Sequence, residues 1–256
     1  MPTVTEVKAK SILTPQKFGS LSGHYNFSLN PYAGCAFKCS YCYVPKFPSK
    51  HNFEDWGEWV EVKTNAAELI RKDRALVFGA KIFFSSATDP YQYLELKYRL
   101  SRACLSELLK YNPAKITMHT RSHLILQDLD LLKQFGDKLS VGVSITTDSD
   151  EVARTFEPKA PSISRRLALI AALQENGVNV FASIAPLLPH DPQKLVAAIK
   201  PHVKKVWIDQ MHALETNTRK DLLTQYSDFF EPENYQKSFD HLSELLRQAG
   251  LVGPRL

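Results

Sequence analysis

Cysteine is scarce in this chain, and its few residues are unevenly placed. The 256 residues include four cysteines, and three of them lie at positions 35, 39 and 42. So small and crowded a set is a poor disulfide framework for a chain of this length. We therefore expect free thiols, and a reducing cytoplasm as the compartment.

Long apolar runs are also missing. No stretch approaches the ~20 consecutive apolar residues that a membrane-spanning helix needs, and residues 1–8 lack the charged-then-apolar order of a secretory signal. We therefore expect no membrane partner. With 44% hydrophobic residues, the chain can bury one sizeable core, and a single domain is the simplest organisation.

Positive charge is in small excess and is confined to one end of the chain. The net charge is +5, and all of it lies in residues 1–50, where six lysines face one acidic residue, Glu6. A local positive field would attract an anionic substrate such as nucleic acid. A lysine-rich solvated arm explains the pattern equally well, so nucleic acid is one candidate partner.

Six short apolar runs alternate with helical patterns along the chain. They indicate buried parallel strands, at residues 27–29, 82–87, 116–119, 139–145, 178–185 and 206–209. Six β/α units predict an α/β fold, a partial (β/α)6 barrel of the TIM type that is opened relative to the eight-unit form.

The same pattern predicts how the chain is divided. Within a single domain covering residues 1–256, we expect an N-terminal arm (1–26), a barrel core (27–210) and a C-terminal helical extension (211–256). Residues 56–63 look like an extra strand or arm inserted after the cysteine run.

Helix boundaries are marked by capping residues. Ser162 and Asp191 are N-cap candidates, the latter followed by Pro192 at the first helical position. Gly177 and Gly250 follow predicted helix ends, the second after a helix near residues 232–249.

The fourth cysteine and the histidines do not form a second site in the sequence. Cys104 belongs to an i, i+4 stripe with Leu96, Leu100 and Leu108, so we expect it in the core. Near strand ends lie His119, His123, His190 and His212. None has a partner at metal-ligand spacing, which favours ordinary hydrogen-bonded histidine.

The three crowded cysteines carry the clearest chemical signal. Cys35, Cys39 and Cys42 form a C-x3-C-x2-C run after the first predicted strand. Three thiolates on a short loop can bind three irons of a [4Fe–4S] cube and leave the fourth iron without a protein ligand. Structural zinc normally takes four protein ligands, which this sequence does not supply. The open iron would take an exogenous chelate, such as the amino and carboxylate groups of S-adenosylmethionine.

Polar side chains follow the second predicted strand. In such barrels the chemistry sits at the carboxyl ends of the strands. Ser86, Thr88 and Asp89 lie at such an end and could accept an ammonium group and order a ribose. Helix capping by Thr88 or Asp89 is an equally good explanation.

The third and fourth predicted strands are also followed by polar side chains. Arg121 offers a guanidinium for a carboxylate after the third strand. Ser144 and Thr146 alternate onto one face of the fourth. These residues extend the predicted site across several strand ends.

Several segments together resemble a known family. They are residues 30–35 (NPYAGC), 39–43 (CSYCY), 88–92 (TDPYQ), 157–158 (EP), 166–167 (RL) and 185–186 (AP). With Tyr41 directly before the last cysteine of the run, they resemble the radical S-adenosylmethionine superfamily. Within it they are similar to the spore photoproduct lyase-like group, also called DNA repair photolyase-like proteins. The resemblance covers residues 29–189, most of the predicted barrel.

The resemblance implies reductive cleavage of S-adenosylmethionine. A reduced [4Fe–4S] cluster, ligated by Cys35, Cys39 and Cys42, would donate one electron to the sulfonium. Methionine leaves, and a 5′-deoxyadenosyl radical takes a hydrogen atom from the substrate. The cofactor supplies this chemistry while the protein holds, orients and shields it. A reducing partner such as flavodoxin or ferredoxin would provide the electron.

The resemblance also implies roles for individual side chains. Tyr41 would pack near the adenine, and Ser144 would contact the methionine or ribose part. Arg121 takes the place of a basic residue near the methionine carboxylate. Tyr43 matches a tyrosine that, in the lyases, helps return a hydrogen atom to the product radical.

One position departs from the lyases. They keep a cysteine hydrogen donor before the turn after the second strand, where this chain has Ala87, so thymine-dimer repair is not predicted. The expected function is a radical S-adenosylmethionine enzyme acting on an unassigned substrate, with nucleic acid as one candidate. The alternatives are radical chemistry on a protein or small metabolite, and a non-catalytic iron–sulfur module.

Overall fold

The described residues fold into two sheets flanked by helices. The computed structural model describes residues 1–47, 54–211 and 219–251. The strands are β1 Thr3–Val7, β2 Leu13–Pro15, β3 Phe27–Leu29, β4 Tyr32–Ala33, β5 Trp59–Lys63, β6 Lys81–Phe84, β7 Lys115–Thr120, β8 Leu139–Ser144, β9 Val180–Ile184 and β10 Val206–Ile208.

Helices connect most of these strands. The α-helices of the described ranges are α1 Ala66–Lys72, α2 Arg74–Val77, α3 Glu95–Tyr98, α4 Leu100–Lys110, α5 Leu129–Leu132, α6 Asp150–Phe156, α7 Ile163–Glu175, α8 Pro192–Ile199, α9 Lys220–Gln225, α10 Ser227–Phe230 and α11 Pro232–Gln248. Within the same ranges, short 3₁₀ helices cover Val44–Lys46, His123–Asp128 and Lys133–Lys138.

The larger sheet is the partial barrel that the sequence predicts. Its order is β10-β9-β8-β7-β6-β3-β2, and every neighbouring pair except β2 with β3 is parallel. The predicted α/β class is therefore confirmed. The predicted strand at 82–87 is shorter in the structure, because Ser85 adopts a φ of 65° and ends β6 at Phe84.

The two faces of this sheet differ in chemistry. One face packs against the helices through fully buried apolar side chains such as Phe84, Met118 and Val143. The opposite face, the lumen face, carries the alternating residues Phe83, Thr117, His119, Gly142, Ser144, Phe181, Ser183 and Trp207. The interior of the barrel is therefore polar and aromatic, and the apolar core lies outside it.

A smaller, three-stranded sheet supports the start of the cysteine run. In it β5 pairs in parallel with β1 and antiparallel with β4. The strand or arm predicted at 56–63 corresponds to β5. Its partner β1 comes from the segment predicted as an N-terminal arm, so at least residues 3–7 of that segment are ordered in a sheet.

The predicted helix caps are present. The Ser162 hydroxyl accepts a hydrogen bond from the backbone N–H of Arg165 at 3.3 Å, and the Asp191 carboxylate accepts one from Lys194 at 3.1 Å. Gly177, which follows α7, has a φ of 74°. None of the helices in the described ranges is long and apolar enough to cross a membrane.

The predicted stripe around Cys104 is wrong at its first position. Arg99 takes a left-handed φ of 50° and separates α3 from α4, so Leu96 is not in register with Leu100. Leu96 is accordingly 66% exposed, whereas Cys104 is fully buried as expected.

Candidate functional site

The cysteine run forms a loop that begins directly after β4. Cys35 and Cys39 are buried and Cys42 is half-buried. The loop starts at Gly34, whose φ is 82° and whose absent Cβ would lie 2.5 Å from the carbonyl oxygen of Trp59. Glycine is required there on both counts, because other residues are strained at this φ and β5 leaves no room for a side chain.

The three thiols lie in each other's electrostatic field. Burial raises the pKa of Cys39 to about 12, with Glu157 and Cys35 adding to the rise and Arg121 opposing it. Burial and the neighbouring Cys39 raise the pKa of Cys42 as well. Three thiolates so close together repel one another, so they need cationic partners to be stable.

The donor set fits an iron–sulfur cluster better than a single ion. The backbone N–H groups of Phe37 and Val44 favour the thiolate forms of Cys35 and Cys42, because each lowers the pKa of its cysteine against the effect of burial. Among the described residues, no three histidine, cysteine, aspartate or glutamate side chains form a group that could hold one metal ion. A cube spreads its three cysteine ligands over three irons, so it does not need such a group.

The segment after β6 holds the start of the cysteine loop. The Thr88 hydroxyl donates to the carbonyl oxygen of Gly34 at 2.7 Å. The Gln92 side chain accepts from the backbone N–H of Ala36 at 3.0 Å and donates to Thr88 at 3.1 Å. Gln92 ends the TDPYQ segment that resembles the family, but the sequence did not predict it as a site residue.

Asp89 is surrounded by donors from the protein. Its carboxylate accepts from the Thr120 hydroxyl at 2.7 Å, from the backbone N–H of Arg121 at 2.8 Å and from that of Tyr91 at 2.9 Å. The next α-helix begins only at Glu95, so Thr88 and Asp89 do not cap it. In this structure Asp89 fixes the end of β7, and its contact with an ammonium group stays a prediction.

A buried network joins the cysteine loop to the middle of the barrel. The Tyr41 hydroxyl donates to Glu157 and accepts from Arg121 at 2.8 Å. Arg121 Nε also donates to Glu157 at 3.1 Å. Arg166 pairs with the other carboxylate oxygen of Glu157, and both side chains are fully buried. Thr146, predicted as a cofactor contact, donates to Glu157 at 3.3 Å.

The sequence did not predict Glu157 and Arg166 as site residues. Burial alone would raise the pKa of Glu157, but Arg166 and Arg121 outweigh it and hold that pKa well below its usual range. Glu157 is therefore ionised, and its carboxylate binds Arg166, Arg121 and the Tyr41 hydroxyl. The sequence feature that could have identified them is that both belong to segments that resemble the family, residues 157–158 and 166–167.

Three other residues named from the sequence lie in the loop, or at or after the ends of strands of the larger sheet. Ser144 is the last residue of β8 and faces the lumen. Tyr43 is 48% exposed, and its hydroxyl donates to the backbone carbonyl of Ser86 at 2.5 Å. Ala87, at the position of the lyase thiol, donates its N–H to the Asn30 side chain at 2.8 Å.

Three of the four histidines predicted to be ordinary lie in the described residues, each in a different part of the fold. His119 lies on the lumen face, with Nδ1 3.5 Å from the Ser183 hydroxyl. His190 Nδ1 is 2.9 Å from the carbonyl oxygen of Leu188. His123 begins a 3₁₀ helix, and His212 lies outside the described residues.

Comparisons with known proteins agree with this geometry. The family model of the radical SAM superfamily matches residues 29–200, which is more than half of the chain. An uncharacterized protein of Methanocaldococcus jannaschii is 29% identical over 242 residues, covering 94% of this chain and 86% of its own length.

Solved structures of spore photoproduct lyase share the fold. A cysteine-to-serine variant of that enzyme superposes with a TM-score of 0.70 at 16% identity, over 98% of this chain and 81% of its own. Another variant, solved with bound AdoMet and dinucleoside spore photoproduct, gives 0.67 at 14% identity, with the same two coverages of 98% and 81%. At such identities the likeness shows the fold alone.

Proposed function

The chain belongs to the radical SAM superfamily, and from this premise we propose an enzyme that cleaves S-adenosylmethionine reductively with a [4Fe–4S] cluster on Cys35, Cys39 and Cys42. The observation that carries the proposal is a set of three thiols, two buried and one half-buried, on a loop held by residues that follow several strands. When bound, the reduced cluster would supply the electron for that cleavage.

The residues around the loop act by fixing the three thiolates. Gly34 provides the tight approach to β5, while Thr88 and Gln92 hold the first turn. Tyr41 holds the last turn through Glu157 and Arg121. A loop fixed at both ends is pre-organised, so binding the cluster costs little ordering entropy.

S-adenosylmethionine is proposed to bind across the neighbouring strand ends. Ser144 and Ser86 would contact its methionine or ribose part, and Tyr41 would lie near the adenine. The Arg121 side chain is 16% exposed, so this cation can lie at the edge of the site and attract the methionine carboxylate. Thr146 would act through Glu157.

Tyr43 is proposed to pass a hydrogen atom to the product radical. Its ring is exposed beside the loop, and its hydroxyl is fixed on the Ser86 carbonyl. Since Ala87 carries no thiol, an exposed tyrosine next to the last cysteine is a candidate donor on this side of the site.

Nucleic acid is the substrate class that we propose. A cavity of about 450 Å³ lies at the amino-terminal ends of β3 and β6, lined by Lys17, His24 and Lys81 and, among the described residues, by no acidic side chain. The cavity lies at the opposite ends of the strands from the cysteine loop. Because Lys38 and Lys46 lie on or directly after that loop, the net +5 of residues 1–50 is shared between the two ends of the barrel, and both ends would attract phosphates.

We also propose a domain organisation, a cellular compartment and an electron donor for this protein. We propose one domain over residues 1–256, with the arm, core and extension at the boundaries given above. A reducing cytoplasm would keep the thiols available, and a flavodoxin or ferredoxin would reduce the cluster.

Anaerobic reconstitution followed by dithionite reduction tests the activity. Chromatography should show 5′-deoxyadenosine formed from S-adenosylmethionine by the wild-type protein and not by Cys39→Ala. Cys104→Ala is the matched control, because Cys104 is also a buried thiol but lies outside the loop. A fully loaded wild-type protein that forms no 5′-deoxyadenosine would leave only a non-catalytic iron–sulfur module.

The substrate class is tested by binding. Association with DNA or RNA should weaken steeply as salt rises, because Lys contacts release counterions from phosphates. At a fixed salt concentration, the double variant Lys17→Glu/Lys81→Glu should bind nucleic acid more weakly than the wild type. Lys237→Glu, on the exposed face of α11, should bind as the wild type does. No detectable binding at low salt would remove nucleic acid as the substrate.

A further inference from the structure

The amino-terminal ends of the parallel strands form a face on the opposite side of the barrel from the cysteine loop. Because parallel strands begin at the same edge of a sheet, the segments that lead into them lie together. We call this surface the amino-terminal face. It consists of residues 16–26, 78–81, 111–115, 136–138, 176–179 and 200–205.

The amino-terminal face is strongly basic. Its six segments contain seven lysines and one acidic residue, Asp137. Their net charge is therefore +6, which exceeds the +5 of the whole chain. In the described residues, the ion pairs that lysine forms involve Lys38, Lys110, Lys159, Lys194 and Lys237. None of these belongs to the face, so its seven lysines keep their charge available to an anionic partner.

Two phenylalanine rings protrude from the same face. Phe18 is 87% exposed and Phe78 is 72% exposed, which makes them the most exposed aromatic side chains in the described part of the chain. The segments that carry them are neighbours, because the strands that follow them, β3 and β6, pair with each other. Exposed rings among lysines are the combination that binds single-stranded nucleic acid in many proteins.

The cavity at the start of β3 and β6 brings basic side chains of these two segments together. It is lined by Lys17, His24 and Lys81, and Phe18 directly follows Lys17. The backbone N–H of Asn26 donates to the carbonyl oxygen of Lys81 at 2.8 Å, and the backbone N–H of Lys81 donates to the Asn26 side chain at 2.8 Å. These bonds fix the two segments to each other, so the cavity is formed before any partner binds.

A partner of this face must offer negative charge and flat apolar surface together. A single-stranded nucleic acid offers both, because its phosphates and its unstacked bases are accessible, whereas the bases of a duplex are stacked inside it. An anionic membrane also attracts lysines, but its broad surface cannot enter a concavity between two ordered segments. The charge, the rings and the cavity therefore favour a single strand.

Building on the proposed nucleic-acid substrate, we infer that the amino-terminal face binds a single-stranded segment of nucleic acid, with Lys17 and Lys81 on its phosphates and Phe18 and Phe78 stacked on its bases. The face lies away from the chemistry, because the four residues of β6 separate its two ends by about 13 Å. It would hold a strand that flanks the reacting part. It would therefore add affinity and leave the cleavage of S-adenosylmethionine unchanged.

Fluorescence anisotropy can test this face without turnover. The cluster-loaded, oxidised protein is titrated against a labelled oligothymidylate of about 12 nucleotides and against a duplex of the same length, over a series of salt concentrations. The slope of log affinity against log salt reports how many phosphates are neutralised, so it separates charge from stacking. The single strand should bind more tightly than the duplex.

Variants assign the binding to the rings and to the lysines. Phe18→Leu and Phe78→Leu keep an apolar side chain but remove the ring, so each should weaken strand binding about tenfold with the salt slope unchanged. Phe18→Tyr keeps the ring and should bind as the wild type does. Lys17→Gln and Lys81→Gln should each reduce the slope by about 0.7. Leu96→Ala is the matched control, because Leu96 is 66% exposed but lies on α3, outside this face.

The outcomes separate this inference from the proposed function. If the wild type binds the strand and both leucine variants, folded by thermal melting, bind it as tightly, the face is refuted and the nucleic-acid substrate stands. Binding to phosphatidylserine vesicles but not to the strand would refute the face in favour of a membrane. No binding of strand or duplex at low salt would remove the substrate class and this inference together. Strand binding without any formation of 5′-deoxyadenosine in the anaerobic assay would refute the activity and leave the face standing.

Discussion

Glu157→Gln should destabilise the fold strongly, because it removes the one anion of a buried network. The Glu157 side chain is fully buried and faces two guanidinium groups, those of Arg166 and Arg121. The glutamine keeps the shape and one acceptor oxygen but leaves two cations without their counter-charge. Breaking a buried pair in this way costs about 3–5 kcal/mol, a large part of the roughly 5–15 kcal/mol that holds a domain folded.

Thermal unfolding followed by circular dichroism measures this loss. For a chain of this size each kcal/mol shifts Tm by roughly 2–4 °C, so a loss of 4 kcal/mol predicts a fall of roughly 8–16 °C. The control is Glu233→Gln, since Glu233 forms an ion pair with Lys237 in which the two side chains are 83% and 74% exposed. Exposed pairs contribute about 0–1 kcal/mol. Equal small shifts for both variants would refute the network as a source of stability.

Three further changes test other parts of the structure. Gly34→Ala combines an unfavourable φ of 82° with a contact of 2.5 Å to the Trp59 carbonyl, so iron bound per chain should fall; Gly23→Ala, with a similar φ of 81° and open space around it, should keep its iron. Gly142→Ala should cost about 1–3 kcal/mol by overpacking, measured by urea unfolding, because a Cβ there would lie 2.7 Å from carbons of the His119 and Phe181 rings, which must move; an unchanged midpoint would show that the rings have room. Burial raises the pKa of Glu95 to about 7, so the folded form holds a proton that the unfolded form loses near pH 4.3. Stability should therefore fall as pH rises from about 4 to above 7, by up to about 4 kcal/mol. Glu95→Gln should flatten that slope, and an equally steep pH dependence would contradict the assignment.

The periodic features of the sequence predicted most of the fold. Apolar runs of three to eight residues located the six parallel strands, because a strand covered by helices must be apolar along its length. Local capping chemistry at Ser162 and Asp191 predicted where helices begin. The left-handed turn at Arg99 could not be recognised in the sequence, since arginine has no preference for that conformation. The helical stripe was therefore predicted to run through it, from Leu96 to Leu108.

The site was predicted less completely, for a physical reason. Cys35, Cys39 and Cys42 are close in sequence, so their spacing alone suggested a shared metal cluster. Glu157 is 116 residues away from Tyr41, which donates to it, and no local pattern indicates such a contact. Residues that hold a site from a distance are recognised only once the sheet brings them together.

A cluster of aromatic rings in the lumen was missed for a related reason. His119 lacked a metal-binding partner in the sequence and was interpreted as an ordinary histidine. Its neighbours Trp207 and Phe181 lie on different strands, and only the strand register brings the three rings together. Gly142 is equally unremarkable in sequence, although two rings meet in the space that it leaves.

Electron paramagnetic resonance of the reduced, reconstituted protein, recorded with and without S-adenosylmethionine, tests the central claim most directly. In the proposed cluster, three cysteine ligands leave one iron open, so adding S-adenosylmethionine should change the spectrum of the reduced protein. Cys39→Ala should lose that signal, and Cys104→Ala should keep it. A cluster spectrum that S-adenosylmethionine leaves unchanged, or one that survives in Cys39→Ala, would contradict the account.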